Sequence, residues 1–149
     1  MTDRAKVLFL CTHNANRSQM AEAWTNHLMS GEFEAFSAGT EPSAVDPRAV
    51  KVMMEAGIDI SDRKSKSVEA FRGMEFRYVV TLCSDAAENC PYFPAVTKVL
   101  HHGFDDPPSL AARCGTEEGK LAAYRKVRDR IRAFVEALPH YLGEDRGPG

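Results

Sequence analysis

The sequence lacks long apolar runs, a marked excess of charge of either sign, and the cysteine pairs of structural zinc sites. No apolar run approaches membrane-spanning length, and the first residues contain no signal-type apolar region, so we expect a cytoplasmic protein without membrane contacts. A formal net charge of -2 gives no reason to expect nucleic acid as a partner. The 149 residues, 44% hydrophobic, suffice for one monomeric domain, predicted at 1–142 with a flexible tail at 143–149.

The four cysteines, Cys11, Cys83, Cys90 and Cys114, include no C-x-x-C pair and have no His-x-x-x-His sequence nearby. This spacing argues against a tetrahedral zinc site, and we expect no bound metal. In a reducing compartment, such cysteines are more often catalytic or redox-active than structural.

Apolar runs alternate with helical patterns along the chain, which is typical of a parallel sheet with crossover helices. The sequence therefore predicts an α/β fold, a single domain with a four-stranded parallel sheet and helices on both faces. Strands are predicted at 7–10, 33–38, 77–82 and 96–100, and helices from residue 18 and over 47–54, 65–71 and 117–138.

Cys11 directly follows the first predicted strand, and Arg17 comes after five further residues, at the start of a helix. Backbone N–H groups at a helix N-terminus point at an anion in such a loop, and the helix dipole adds roughly half a positive charge. Arg17 can bind two oxygens at once, and the same field favours the thiolate form of Cys11. Residues 11–17, called the anion loop, are thus predicted to bind an oxyanion beside a nucleophile, with contacts from Thr12, His13, Asn14, Ala15, Asn16, Arg17 and Ser18.

Three reactive or polar residues follow predicted strands: Cys11 the first, Cys83 the third and Asp106 the fourth. Ligands of open α/β sheets bind at the carboxyl ends of the strands. We therefore expect these side chains at one edge of the sheet.

Cys83 and Cys90 bracket a predicted short helix, capped by Ser84 or Asp85. At 1.5 Å per residue such a helix would hold the two Cα atoms roughly 10 Å apart, whereas a disulfide needs about 5.5 to 6 Å. Pairing of the two thiols thus requires the segment to unwind, which predicts a conformational change coupled to oxidation.

These motifs resemble those of thioredoxin-coupled arsenate reductases, which are built on the fold of the low-molecular-weight protein tyrosine phosphatases. The C-x5-R loop alone indicates only a phosphatase-like protein, whereas Cys83 and Cys90 at this spacing separate the reductases from the phosphatases. The likeness covers nearly the whole chain and is strongest at 11–22, Ser37-Ala38-Gly39, Thr81-Leu82-Cys83, Cys90-Pro91 and Gly103-Phe104-Asp105-Asp106-Pro107.

The resemblance implies that arsenate, with phosphate or sulfate as mimics, binds in the anion loop and is attacked by the Cys11 thiolate. Asp106 would protonate the departing oxygen as general acid, with Asp105 as the lesser candidate. Cys83 would then attack the Cys11 adduct and release arsenite, and Cys90 would leave a Cys83–Cys90 disulfide. Thioredoxin would reduce that disulfide as an external reductant, with no cofactor bound.

The resemblance also assigns supporting roles. Ser18 would donate to the Cys11 thiolate, and Asn14 would hold the loop because asparagine tolerates positive φ. The alternative for either residue is that it only scaffolds the loop. Some members bind potassium near the loop, and Lys66 stands where they have an acidic ligand, which argues against a metal although Asn14, Glu22 and Ser37 are retained.

The loop departs from the family pattern at His13, which replaces glycine, and at Ala15-Asn16, which replace Ser-Cys. His13 either strengthens the anion field when protonated or only fills space. Three alternatives stay open: a low-molecular-weight tyrosine phosphatase, a reductase served by a small thiol and a glutaredoxin-like partner, and a non-catalytic oxyanion or redox sensor.

Overall fold

The computed structural model describes residues 4–84 and 92–143. Four parallel strands form one sheet in the order β2-β1-β3-β4, so the predicted fold class is confirmed. The strands are β1 (Ala5–Cys11), β2 (Phe33–Gly39), β3 (Tyr78–Thr81) and β4 (Lys98–His101), and the helices are α1 (Arg17–Leu28), α2 (Pro47–Glu55), α3 (Pro107–Ala111), α4 (Glu117–Glu136) and α5 (Leu138–Tyr141), with a 3-10 helix at Val68–Phe71.

Both faces of the central strand β1 are buried, which explains its unbroken apolar run. Val7 and Phe9 belong to the larger core with side chains of α1, α2 and α4. Leu8 and Leu10 face the smaller core, which contains the 3-10 helix. Four phenylalanine rings meet edge to face there: Phe36, Phe71, Phe76 and Phe93.

Helix α2 begins and ends where its sequence signals predict. The Asp46 side chain accepts the backbone N–H of Arg48, and Pro47 occupies the first turn, where a missing N–H costs nothing. Gly57, at φ 90°, follows the end of the helix. The start of α2 matters for function because it lies against the anion loop.

The helix predicted over 65–71 is shorter than expected, since only Val68–Phe71 is helical and its form is 3-10. The reason is tertiary. The backbone N–H of Lys66 donates to Asn14 Oδ1, and the Lys66 carbonyl accepts the N–H of Gly39. Residues before the helix are thus used to hold the anion loop rather than to extend the helix.

The sequence predicts that the last helix runs to 138, but α4 ends at Glu136 and a separate α5 follows. Pro139 has no N–H to continue the α4 ladder, and it sits instead in the first turn of α5. The short helix α3 was not predicted, although Pro107 directly after Asp106 is a typical start.

Strand β4 begins at Lys98, two residues later than predicted, and the N–H groups of Val96 and Thr97 donate to the carbonyls of Phe76 and Arg77, which precede β3. The predicted helix between Cys83 and Cys90 and most of the predicted tail lie outside the described residues. Among the described helices, none is both long and apolar enough to cross a membrane.

The His102 ring packs against Phe104 and Phe134, with ring centroids 4.9 and 4.3 Å away. Burial lowers the pKa of His102 from its usual value. The unfolded chain therefore binds more protons below about pH 6.5, and the free energy of unfolding should fall as the pH falls from there toward the folded pKa. When the pH is lowered from about 7 to 5, we expect the free energy of unfolding, measured by urea denaturation, to fall less in His102→Phe than in the unmodified chain. The exposed His140→Gln is the control, and equal pH slopes in all three proteins would contradict the prediction.

Candidate functional site

The carboxyl ends of the strands border a cavity of about 460 Å³. Cys11 is the last residue of β1, and Asp106 precedes α3, so the topology brings these two side chains to the same cavity as Arg17. Cys83 lies two residues beyond β3 and is buried outside the cavity wall. The remaining lining residues are His13, Ala15, Asn16, Ser43, Ala44, Asp46, Pro47 and Pro108.

The peptide groups of the anion loop have a common orientation. The carbonyl oxygens of Thr12, His13 and Ala15 accept N–H groups of residues 41, 43 and 46, at 2.9, 3.3 and 3.1 Å. In a planar trans peptide the C=O and N–H point in opposite directions. The N–H groups that follow these carbonyls therefore point away from the surrounding chain and into the loop, where an anion would accept them.

Asn14 fixes the middle of the loop in the left-handed region, at φ 52°. Its Oδ1 accepts hydrogen bonds from Gln19 Nε2 at 2.9 Å and from the Lys66 N–H at 2.8 Å. Its Nδ2 donates to Ser18 Oγ at 2.7 Å, and Ser18 Oγ lies 2.9 Å from Cys11 Sγ. Because Ser18 Oγ already accepts from Asn14, its own proton is available to Cys11, which stabilises a negative sulfur.

Arg17 is 3% exposed and ties the helix α1 to the ends of two other elements. Its Nη1 donates to the carbonyl of Phe104 at 3.2 Å, and its Nη2 lies 3.5 Å from Asp106 Oδ1. The guanidinium is thus held in place inside the cavity wall, with its fork fixed before any ligand enters.

The two neighbouring aspartates have different surroundings. Asp106 lines the cavity, contacts Arg17 and accepts the Ser109 hydroxyl at 2.9 Å through its other oxygen. Asp105 is exposed and lies 3.6 Å from Arg130, outside this cavity. Of the two carboxyls, only that of Asp106 is in position to exchange a proton with a group held by Arg17.

The cysteines differ in redox state and burial. Cys11 is a buried free thiol, Cys114 a partly buried free thiol, and Cys83 is disulfide-bonded. Cys90 lies outside the described residues. The loop before α3 passes close to Cys83, since a Cβ on Gly103 would stand 2.7 Å from the Cys83 carbonyl oxygen.

Glu22 is a buried carboxylate on α1. Its Oε1 accepts the Ser37 hydroxyl at 2.7 Å and lies 3.7 Å from Lys66 Nζ, while its Oε2 accepts a hydrogen bond from Arg63. Both oxygens are thus engaged by this chain's own donors, and the surroundings do not fit a potassium ion. In residues 4–84 and 92–143, no group of three or more His, Cys, Asp or Glu side chains could hold a metal ion.

Asp46 and Tyr124 are site residues that the sequence reasoning missed. The Tyr124 hydroxyl donates to Asp46 Oδ2 at 2.5 Å, and Asn16 Nδ2 donates to the same oxygen at 3.2 Å. Burial, together with the hydrogen bond to Asp46, raises the pKa of Tyr124, so its hydroxyl stays protonated. Asp46 directly precedes α2, so the local sequence indicates a helix start there and not a contact with the loop, and the contact with Tyr124 joins residues far apart in the chain.

Gly39 permits the close approach of β2 to the anion loop. A Cβ at this position would stand 2.5 Å from the Thr12 carbonyl oxygen and 2.9 Å from the Asn14 nitrogen, both backbone atoms. Overpacking of this kind typically costs about 1–3 kcal/mol, and we expect the loop in Gly39→Ala to move in order to relieve it. Because the displaced N–H groups no longer fit the anion, phosphate binding, measured by calorimetry, should weaken by about tenfold or more. Gly31→Ala is the matched control, because a Cβ there meets nothing within 4 Å. Equal affinities of the two variants would contradict the prediction.

Known proteins resemble this chain over nearly its whole length. The sequence model of the low molecular weight phosphotyrosine protein phosphatase family matches residues 6–147. An arsenate reductase of Shouchella clausii is 46% identical over 130 residues, which make up 87% of this chain and 91% of that protein. A solved arsenate reductase in the oxidized state has a TM-score of 0.72 at 30% identity, and one in the phosphate binding state has a TM-score of 0.70 at 29% identity. Both likenesses cover 94% of this chain and 98% of the other.

Proposed function

This chain belongs to the low molecular weight phosphotyrosine protein phosphatase family and is one of its arsenate reductases, and from that premise we propose that arsenate is reduced by a relay through Cys11, Cys83 and Cys90. The observation that carries the proposal is a free Cys11 thiol in the same cavity wall as Arg17 and Asp106. A nucleophile, an anion-binding cation and a proton donor thus share one cavity.

Arsenate binds in the anion loop, and phosphate or sulfate can take its place. The inward N–H groups of the loop and the fixed guanidinium of Arg17 donate to its oxygens. These donors recognise a tetrahedral oxyanion and do not distinguish arsenate from phosphate.

In the first chemical step, the Cys11 thiolate attacks arsenic, and a sulfur–arsenic bond forms as an arsenic–oxygen bond breaks. Asp106 donates its proton to the departing oxygen, which leaves as water. The Asn14–Ser18 pair supports this step, since the Ser18 hydroxyl can stabilise the thiolate before attack.

In the second step, the Cys83 thiolate attacks the Cys11 sulfur. The electron pair of the sulfur–arsenic bond stays with arsenic, which is reduced from As(V) to As(III) and leaves as arsenite, while the two sulfurs are oxidised to a disulfide. Phosphorus does not accept this reduction, so only this step separates arsenate from phosphate.

In the third step, the Cys90 thiolate attacks the Cys83 sulfur and releases Cys11, leaving a disulfide that an external dithiol must reduce. We assign that role to thioredoxin. The combination of a free Cys11 and a disulfide-bonded Cys83 agrees with the state that this sequence of steps would leave.

The relay is tested by arsenate-dependent NADPH oxidation with thioredoxin and thioredoxin reductase. We expect Cys90→Ser to release about one arsenite per enzyme and then to turn over at least about tenfold more slowly, because the Cys11–Cys83 disulfide has no internal thiol to open it. Cys114→Ser serves as the control and should retain the activity of the unmodified chain.

Undiminished turnover in Cys90→Ser would rule out the internal relay. Activity in that variant with glutathione and glutaredoxin, but not with thioredoxin, would favour the alternative reductant. Phosphate ester hydrolysis far above arsenate reduction would instead favour the phosphatase, which needs neither Cys83 nor Cys90.

A further inference from the structure

Behind the outer half of the anion loop lies a chain of hydrogen bonds that the relay does not use. Its centre is Asp46, whose Oδ1 caps α2 and whose Oδ2 accepts both Tyr124 from α4 and Asn16 from the loop. The backbone N–H of Asp46 also donates to the Ala15 carbonyl at 3.1 Å. One residue therefore holds the loop through its backbone and its side chain.

The contact with Ala15 decides which way one peptide group faces. Because the Ala15 carbonyl points at Asp46, the N–H of Asn16 in the same peptide points to the opposite side, into the cavity. The Asn16 side chain does not cap α1, although it stands at the cap position. It donates to Asp46 instead, while its buried Oδ1 has no hydrogen-bond partner among the residues that the structure describes.

Tyr124 in turn fixes the rotamer of Asp46. Tyr124 is 1% exposed, and because the pKa of its phenol is raised, the hydroxyl stays protonated and can donate to Asp46. Without the hydroxyl, Asp46 Oδ2 would keep the longer contact with Asn16 at 3.2 Å while Oδ1 still accepts the Arg48 N–H, so the carboxylate would be held less firmly against the loop.

We propose that Asp46 and Tyr124 are positioning residues that set the oxyanion affinity of the loop by orienting the Ala15–Asn16 peptide. This inference rests on the proposed binding of the oxyanion in the loop. The other half of the loop has its own support in the network of Asn14, Ser18 and Gln19. A defect at Asp46 or Tyr124 therefore affects binding of the anion and leaves the attack by Cys11 nearly unchanged.

Tyr124→Phe removes one oxygen and leaves the ring. We expect the dissociation constant for inorganic phosphate, measured by calorimetry, and the KM for arsenate to rise about three- to tenfold, with kcat changed less than about twofold. The effect is smaller than for direct loss of a hydrogen bond to a charged ligand, because the hydroxyl acts on the anion only through Asp46. Tyr141→Phe on α5 is the matched control and should leave both constants unchanged.

Asn16→Ala removes the other contact with Asp46 Oδ2 and keeps the backbone N–H. We expect a similar rise in the dissociation constant, and in the double variant a rise no larger than about that of the more affected single variant, because both changes act through Asp46. Multiplying effects would overturn the proposal, and so would phosphate affinities unchanged in both single variants. A lowered Tm with unchanged affinity would also overturn it, since that is the behaviour of a purely structural contact.

Alkylation of Cys11, measured beside phosphate binding, separates this inference from the proposed function. In the unmodified chain, phosphate should slow the alkylation of Cys11 by iodoacetamide. If it does not, oxyanion binding in the loop is wrong, and the role of Asp46 and Tyr124 is overturned with it. If phosphate protects Cys11 but both variants bind it normally, only the role of Asp46 and Tyr124 is overturned.

Discussion

Cys11→Ser is expected to reduce the rate of arsenate reduction by about 10⁴-fold or more, to the background of the assay, because a serine hydroxyl is not ionised near neutral pH and cannot form the sulfur–arsenic bond. The measurement is arsenite release with the complete thioredoxin system. Phosphate binding should survive, since serine is close in size to cysteine and the carbonyl contacts of the loop do not involve the thiol.

A control variant and a phosphate-binding measurement show whether the loss of activity is specific to Cys11. Cys114→Ser, which changes a thiol that does not line the cavity, should keep full activity. A Cys11→Ser variant that binds phosphate normally yet still reduces arsenate at more than about 1% of the original rate would show that another thiol is the nucleophile.

Arg17→Lys is expected to lower kcat/KM for arsenate about 10²- to 10³-fold, although the positive charge is kept, because lysine lacks the planar fork that donates two hydrogen bonds at once. A stability loss of about 1–3 kcal/mol should accompany it, since the Phe104 carbonyl loses its Arg17 donor. Urea denaturation measures the second effect and steady-state kinetics the first.

The control for Arg17→Lys is Arg113→Lys, the same change at an exposed position outside the cavity. It should alter neither stability nor kinetics appreciably. If Arg17→Lys lowered stability but left kcat/KM within about threefold of the original, the guanidinium would be a structural tie between α1 and the neighbouring loops rather than a ligand for arsenate.

Part of the site could be predicted because it depends on local order. The apolar run before Cys11 and the helical spacing after Arg17 indicate a strand, a turn and a helix, and the turn can only lie at the carboxyl end of the strand. The alternation of strands and helices then predicts a parallel sheet. Because all strands of such a sheet end at one edge, the cavity shared by Cys11 and Asp106 follows from topology.

Other features depend on which residues meet after packing. The resemblance implies Asp106 as the acid and Asp105 as the lesser candidate, but only the structure shows that Asp105 contacts Arg130 while Asp106 contacts Arg17. Likewise, nothing in the local pattern at Lys66 indicates that its backbone N–H donates to the Asn14 side chain instead of taking part in a helix.

The sequence by itself determined the strand–loop–helix unit at Cys11, the parallel sheet and the edge at which the reactive residues gather, because periodicity and spacing are properties of neighbours along the chain. Tertiary structure alone decided that Tyr124 on α4 reaches Asp46, and that Asp46 holds Asn16 in the anion loop. The physical reason is that a hydrogen bond between distant residues depends on how α2 and α4 pack against each other, and such packing has no signature in the order of nearby residues.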